Sequence, residues 1–436
     1  MKQENNYFKP QDYQTGKQEI SHLNVEIPSN NYLNNINKNK SEKEKLFIKI
    51  YITIIFFALI ICIEQVYRED LFDESIDVQE DIREDHEKGS AFYNFWKFMS
   101  YFGVAKVTFP IFAIIFLFFP LSSSFLTLQV LIYAIYITNL LKIIYRNERP
   151  YWKSTKLDVV CNSGYGNPSG HSVTSTAYYL TLPHIVTNFE FFKKDIKGKI
   201  LRIVIFILFI ALGSLVIISR VILAAHAINQ VIYGFTLGIG IYFIAIFILS
   251  YHTYKPDIFI YHITNCIVVL VYMIFHISIL ILLIIIYLTF DDNQIIKYKI
   301  ESDIFNGERC KIKKKYLMLK HDGFFQGLAE TSIIGAHLGI IILVYLLKKN
   351  NYAINGYITE FNKSSVKRWL LRLPILIISG IFMILNFTIP GDTSLSIIFI
   401  FKSALSFFFT TLGIFFIGIF ISIHCNLANE NITRIQ

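Results

Sequence analysis

Long apolar runs recur along the chain at 46–63, 103–120, 124–145, 171–188, 200–219, 226–250, 258–290, 328–347, 369–389 and 398–424, separated by polar connections. A helix needs roughly 20 mostly apolar residues to cross a bilayer core. The pattern therefore predicts an all-α polytopic membrane protein with about ten transmembrane helices. The run 258–290 is too short for two full crossings and is read as one; as two half-spans it would invert everything after it. Residues 1–45 are polar and lack the short apolar core and cleavage site of a signal peptide, so we expect a disordered tail. Behind the first span, Glu64–Lys88 carries eleven acidic residues against Arg68, Arg83 and Lys88, and is read as an acidic loop.

Composition sharpens this reading. Of 436 residues, 54% are apolar and 17% charged, against about 25% charged in ordinary soluble domains. Disorder, collagen, coiled coil and a disulfide scaffold are excluded as overall classes. The net charge of +9 matters through its placement, because loops near spans are enriched in Lys and Arg on the cytosolic side. Lys38, Lys40, Lys43, Lys45 and Lys49 put the tail in the cytosol. Ten alternating spans also place Lys193, Lys194, Lys197 and Lys199 there, with Lys348, Lys349, Lys363, Lys367 and Arg368. The acidic segment 64–100 falls on the far side. So does 291–326, against the rule, since it holds Arg309, Lys311, Lys313, Lys314, Lys315 and Lys320. The expected layout is a cytosolic tail at 1–45, an additional span with its acidic loop at 46–92, a core at 93–250 and C-terminal helices at 251–436.

Three connections on the far side hold the chemistry. The first is Lys142-Ile-Ile-Tyr-Arg-Asn-Glu-Arg149-Pro150. Lys142 and Arg149 lie seven positions apart, so on one continuous helix both cations face the same way, with Pro150 stopping the helix behind them. Read alone, the pair is also an ordinary snorkelling anchor. The second is Gly164-Tyr-Gly-Asn-Pro-Ser169-Gly170-His171, which leads into a span. Ser169 suits a helix N-cap and Gly170 permits close backbone approach, a turn shaped to hold an anion at a helix start. His171 stands one residue on, placed to protonate a leaving group. The third is Ser219-Arg220-Val-Ile-Leu-Ala-Ala-His226-Ala-Ile-Asn-Gln230. Arg220 and His226 share a pocket only if the helix breaks between them, and Gln230, one turn on, is expected to orient the imidazole.

Together these segments offer three cations, a helix start and two histidines at one bilayer face. That set fits a phosphoryl group in flight: cations stabilise its equatorial oxygens, one histidine attacks phosphorus, and the other protonates the departing oxygen. The chain has no Walker A loop, no His-Glu-x-x-His and no aspartate cluster suited to Mg²⁺, so we expect neither metal nor cofactor. The expected partners are membrane lipids and a phosphorylated small-molecule or lipid substrate, with no nucleic acid.

These residues resemble the three signature boxes of the type 2 phosphatidic acid phosphatase superfamily, Lys-x6-Arg-Pro, Pro-Ser-Gly-His and Ser-Arg-x5-His-x3-Asp. The resemblance implies that His226 is the nucleophile, His171 the general acid, and Lys142, Arg149, Ser169, Gly170 and Arg220 the phosphate ligands. Gln230 departs from the pattern, standing where most members have an aspartate. With Arg149-Pro-Tyr-Trp152, Cys161 and Ala-Ala-His226-x3-Gln230, the chain is most similar to the glucose-6-phosphatase family, where a Gln holds that place. Weaker similarity extends to Lys367-Arg-Trp-Leu-Leu-Arg372-Leu-Pro374 and Phe401-Lys402-Ser403-Ala404, so that the likeness covers about 95–420 and leaves the first helix as an addition. It implies glucose 6-phosphate hydrolysis at a site facing the endoplasmic reticulum lumen.

A lipid phosphatase acting on phosphatidate, sphingoid-base phosphate or polyprenyl diphosphate would use the same boxes. A silent scaffold or transporter would not need all of them intact. His262, His276 and His337 lie in apolar runs and read as core or interfacial residues. Lys402, near a helix start, reads as snorkelling, and Cys161 and Cys310 fall on the same side, where an oxidising compartment would allow a disulfide.

Overall fold

The computed structural model describes residues 29–104, 121–154, 164–187, 195–252, 265–289, 324–349 and 396–414, with 107–108, 111–112, 114–115, 119, 156–157 and 416. Among these residues the chain is all-α. Six helical stretches are long and apolar enough to cross a membrane: Tyr51–Asp85, Leu121–Lys153, Ile196–Ile222, Ile228–Phe247, Cys266–Thr289 and Phe324–Leu347. The expected run 171–188 forms a 17-residue helix rich in Ser and Thr, and 398–424 is helical over Ser396–Gly413. The span expected at 369–389, the basic stretch 309–320, His262, Cys161, Cys310 and the side chain of Lys402 lie outside the described residues. The run 258–290 holds one uninterrupted helix, Cys266–Thr289, about 36 Å long and enough for a single crossing.

The chain divides into two units, Met1–Lys49 and Ile50–Gln436. In the first, helix begins at Ser29, inside the segment expected to be a disordered tail. Lys40-Ser-Glu-Lys-Glu-Lys45 explains why, since it combines good helix formers with opposite charges three and four apart. Helix α1 is assigned to Ser29–Asp85, and its part within the second unit, from Ile50 on, is long enough by itself for a crossing. The expected acidic loop is thus helical as far as Asp85. No Gly or Pro interrupts residues 46–88, and the helix is followed by Gly89 at φ +95°.

The site rests on five further helices: α2 (Ala91–Tyr101), α3 (Leu121–Tyr145), α5 (Gly170–Val186), α6 (Ile196–Ile222) and α7 (Ile228–His252), with a one-turn helix α4 (Pro150–Lys153) after α3. α5 is central and packs against α3, α6 and α7, while α2 lies on α6. Apolar surface gains little by leaving lipid for protein, so close van der Waals packing through small residues must hold such helices together. Gly234 and Gly238 of α7 supply it. A Cβ on Gly234 would lie 2.7 Å from the Ser169 carbonyl, and one on Gly238 2.5 Å from Thr176 Cβ. Val173, Ala177, Tyr233, Leu237 and Ile241 fill the seam, with Leu126, Val130 and Ala134 of α3. The ring of Phe57 from α1 seats directly over Gly240.

α3 is buried on nearly every side because its other flank packs on α8 (Cys266–Thr289) and α9 (Thr331–Lys349), with α10 (Ser396–Gly413) joining the same cluster through α9; Leu128, Ile132, Leu283, Ile333, Ile340 and Phe407 fill it. His276 and His337 sit in this second cluster, buried as expected, yet they are not merely apolar packing. His276 Nδ1 meets Glu330 Oε1, its Nε2 lies 3.1 Å from the Tyr133 hydroxyl, and the Tyr272 ring stacks on His337 at 4.5 Å.

Candidate active site

Lys142 and Arg149 do not share a helix. α3 ends at Tyr145, Arg146 takes the left-handed conformation at φ +53°, and Arg149 is extended at φ −98°, ψ 154° ahead of Pro150, the first residue of α4. Proline disfavours helical backbone in the residue before it, so the helix cannot run on through Arg149. Arg149 instead enters the site from the connection. Its Nε donates to the Gly164 carbonyl (2.8 Å) and its Nη1 to the Ala225 carbonyl (2.9 Å), and it is 2% exposed. One guanidinium thereby links the first motif to the other two.

The helix break required in the third motif is present. α6 ends at Ile222, Ala224 adopts φ +50°, and α7 begins at Ile228. The amides of Ala225 and His226 both bond back to the Arg220 carbonyl, at 3.1 and 3.2 Å. This tight reversal replaces the angular separation of a continuous helix and brings His226 back toward Arg220. Non-glycine residues at positive φ are uncommon and cluster at sites that need them.

His226 is almost fully buried. Its Nδ1 lies 2.8 Å from the Gly166 carbonyl and 3.3 Å from Gln230 Oε1, while Nε2 lies 3.3 Å from Arg149 Nη1. A carbonyl can only accept, so Nδ1 carries the proton and Nε2 keeps its lone pair, facing the cations. Distance makes Gly166 the chief orienting partner. Gln230, expected in that role, is the more distant contact, because its Nε2 is committed to the Glu148 carbonyl at 2.7 Å while Oε1 also accepts from the Ala227 amide at 3.3 Å. Glycine is obligatory at 166, since a Cβ would fall 2.5 Å from both Gln230 Nε2 and the Glu148 carbonyl.

The second motif opens α5. Ser169 occupies the N-cap position, but its side chain caps no amide; it is buried and accepts from the Ser172 hydroxyl at 2.9 Å. Its own amide is held by the Gln230 carbonyl at 3.0 Å. Gly170 lets α3 come close, as a Cβ there would lie 3.2 Å from Thr138 Cγ2 and 4.0 Å from Lys142 Nζ. His171 stands on the first turn of α5 against Gly103, within electrostatic reach of Arg220, Lys142, Arg149 and His226. Arg220 is 3% exposed, with Nη1 on the Ser100 hydroxyl of α2 and, among the described residues, Nε without a hydrogen-bond partner. All eight residues singled out in the sequence therefore converge. Gly166 and Ser100 were not foreseen; Gly166 sits within the second motif and acts through its backbone, and nothing marks Ser100 in sequence.

His226 lies in the loop between α6 and α7, and burial, reinforced by Arg149, Arg220, Lys142 and His171, holds its pKa well below the usual 6.5. The neutral ring therefore persists as pH falls through 6.5. Histidine NMR of the purified protein, with the His226 resonance assigned by its loss in His226→Gln, should show that resonance unchanged between pH 7.5 and 6; a midpoint at or above 6.5 would refute this electrostatic reading. The sign also fixes stability: the unfolded chain takes up a proton near pH 6.5 that the folded site refuses, so this contribution is present above 6.5 and lost below it.

Among known proteins, the PAP2 superfamily matches residues 123–257. Glucose-6-phosphatase catalytic subunit 1 of Rattus norvegicus is 32% identical over 110 residues, and those of Felis catus and Mus musculus are 31% identical over the same length. Each alignment covers 22% of this chain and 31% of the relative, so the chain spans under a third of the length of the curated relatives it matches. The matched extent is shorter than the 95–420 expected from the weaker C-terminal similarity. No solved structure matches. Residues 123–257, which hold all three motifs, thus match the PAP2 superfamily, and the chain is similar over part of its length, at modest identity, to glucose-6-phosphatase catalytic subunits.

Proposed function

We propose that this chain is a metal-independent membrane phosphatase that hydrolyses glucose 6-phosphate through a phosphohistidine at His226. The observation that carries the reading is the ring of His226, its Nδ1 committed to a carbonyl and its Nε2 lone pair 3.3 Å from the Arg149 guanidinium. A phosphate held by Lys142, Arg149, Arg220 and the start of α5 presents phosphorus to Nε2, and the three cations provide the charge a metal would otherwise supply. Nε2 forms the N–P bond as the ester P–O bond breaks, and His171 gives its proton to the departing alkoxide. Water then attacks phosphorus, His171 takes the proton back, and the N–P bond breaks to release inorganic phosphate. Similarity to proteins named Glucose-6-phosphatase catalytic subunit 1 supports the sugar phosphate, and a site facing the endoplasmic reticulum lumen is the placement that the resemblance to that family implies.

Purified protein given glucose 6-phosphate, phosphatidate and sphingosine 1-phosphate in parallel tests the substrate. Preference for either lipid makes this a lipid phosphatase, and hydrolysis of none, with no effect of vanadate on thermal stability, ends the phosphatase reading. His171→Ala should slow alkyl phosphate hydrolysis about 10²–10⁴-fold, the usual contribution of a general acid, while an aryl phosphate with a good leaving group suffers far less. Equal losses on both esters would remove His171 from the acid role.

A further inference from the structure

The part of α1 beyond its apolar run has an unusual buried stripe. Glu64, Phe72, Ser75 and Gln79 are buried and Arg68 half-buried, at intervals of four, four, three and four. That spacing marks one face of a helix. Such a face is ordinarily apolar, whereas four of these five residues are polar, and buried polar groups need partners.

Their partners are the three motif segments. Gln79 Nε2 donates to the His226 carbonyl at 2.8 Å, and Ser75 Oγ accepts the Ile228 amide at 2.9 Å. The Arg68 carbonyl accepts from Asn229 Nδ2 at 3.2 Å. About three turns of α1 thus hold the loop that presents the nucleophile at His226 and at the two residues that open α7. Glu64, paired with Arg68, accepts from Asn167 Nδ2 at 2.7 Å, two residues before Ser169. After the first motif, Lys153 pairs with Asp73 at 3.1 Å, Lys156 pairs with Glu80 at 2.9 Å, and the Ser154 hydroxyl donates to Glu80. The contacts on exposed lysines add little to stability; those on the backbone of 226–228, buried at His226 and partly buried at Ile228, fix geometry.

We infer that α1 is a working part of the active site, with Gln79 and Ser75 as positioning residues that hold the His226 loop in register for attack. The inference rests on His226 being the nucleophile. Its physical basis is that no regular secondary structure restrains residues 223–227, so outside hydrogen bonds must set where the ring points, and a misplacement of about 1 Å can cost about 10²-fold in rate.

The test compares wild type with Gln79→Met, Ser75→Ala, their double variant, Ser75→Thr, and His226→Ala in the same detergent. Each single variant should lower kcat and the rate of phosphoenzyme formation about tenfold, and the double variant further, with KM within about twofold, the melting temperature nearly unchanged, and Ser75→Thr near wild type. A double variant with kcat within twofold of wild type, beside an inactive His226→Ala, would overturn the positioning role alone. Activity surviving in His226→Ala would overturn both the nucleophile and this inference. A loss of kcat matched by a fall in melting temperature in every variant, Ser75→Thr included, would reduce α1 to a structural strut and also overturn it.

Discussion

Replacing His226 with alanine should lower phosphate release by about 10⁴-fold or more, the scale on which loss of a nucleophile is felt where the rest of the machinery cannot substitute. The expectation follows from the ring's isolation. Among the described residues no other imidazole has one nitrogen bound to a carbonyl and the other turned toward Arg149. The measurement is inorganic phosphate released by purified protein, together with acid-labile label retained after a brief reaction with radiolabelled substrate. Wild type should retain label and His226→Ala none. Label persisting in the variant would move the nucleophile elsewhere.

Arg149→Lys should be the next most damaging change, although it preserves charge. The guanidinium reaches the Gly164 carbonyl, the Ala225 carbonyl and the face of His226 Nε2 at once. A single ammonium on a flexible stem cannot reproduce that fork, so at least one buried carbonyl loses its partner. An unsatisfied buried group costs about 1–3 kcal/mol, which should appear as a melting temperature lowered by several degrees. Catalysis should fall about 10²–10³-fold, as when one preorganised donor is removed from a developing charge. Activity within tenfold of wild type would mean that positive charge alone suffices at 149.

Much of the site could be read from the linear chain because its signals are short and chemically distinctive. Ser169-Gly170-His171 and Arg220-x5-His226 name residues whose types admit few other roles together, and the structure gathers every one of them. The path by which Arg149 arrives was misread, because seven-residue spacing suggests a helix unless the effect of Pro150 on its predecessor is given more weight. Gln230 does reach Nδ1, at 3.3 Å, but the shorter contact is the Gly166 carbonyl at 2.8 Å, a backbone acceptor that leaves no trace in side-chain identity. The acidic segment after the first span reads as a loop rather than a helix because its buried face is polar, and polar periodicity does not announce burial.

Taken alone, the sequence determined that the chain is helical and membrane-spanning, and singled out the cations and histidines that the fold brings together, because apolar run length and residue type act locally. Only the tertiary structure decided which nitrogen of His226 is free and what holds it so. Those answers depend on contacts between residues 60 and 147 positions apart, made to main-chain carbonyls that every residue possesses and that only folding brings within reach.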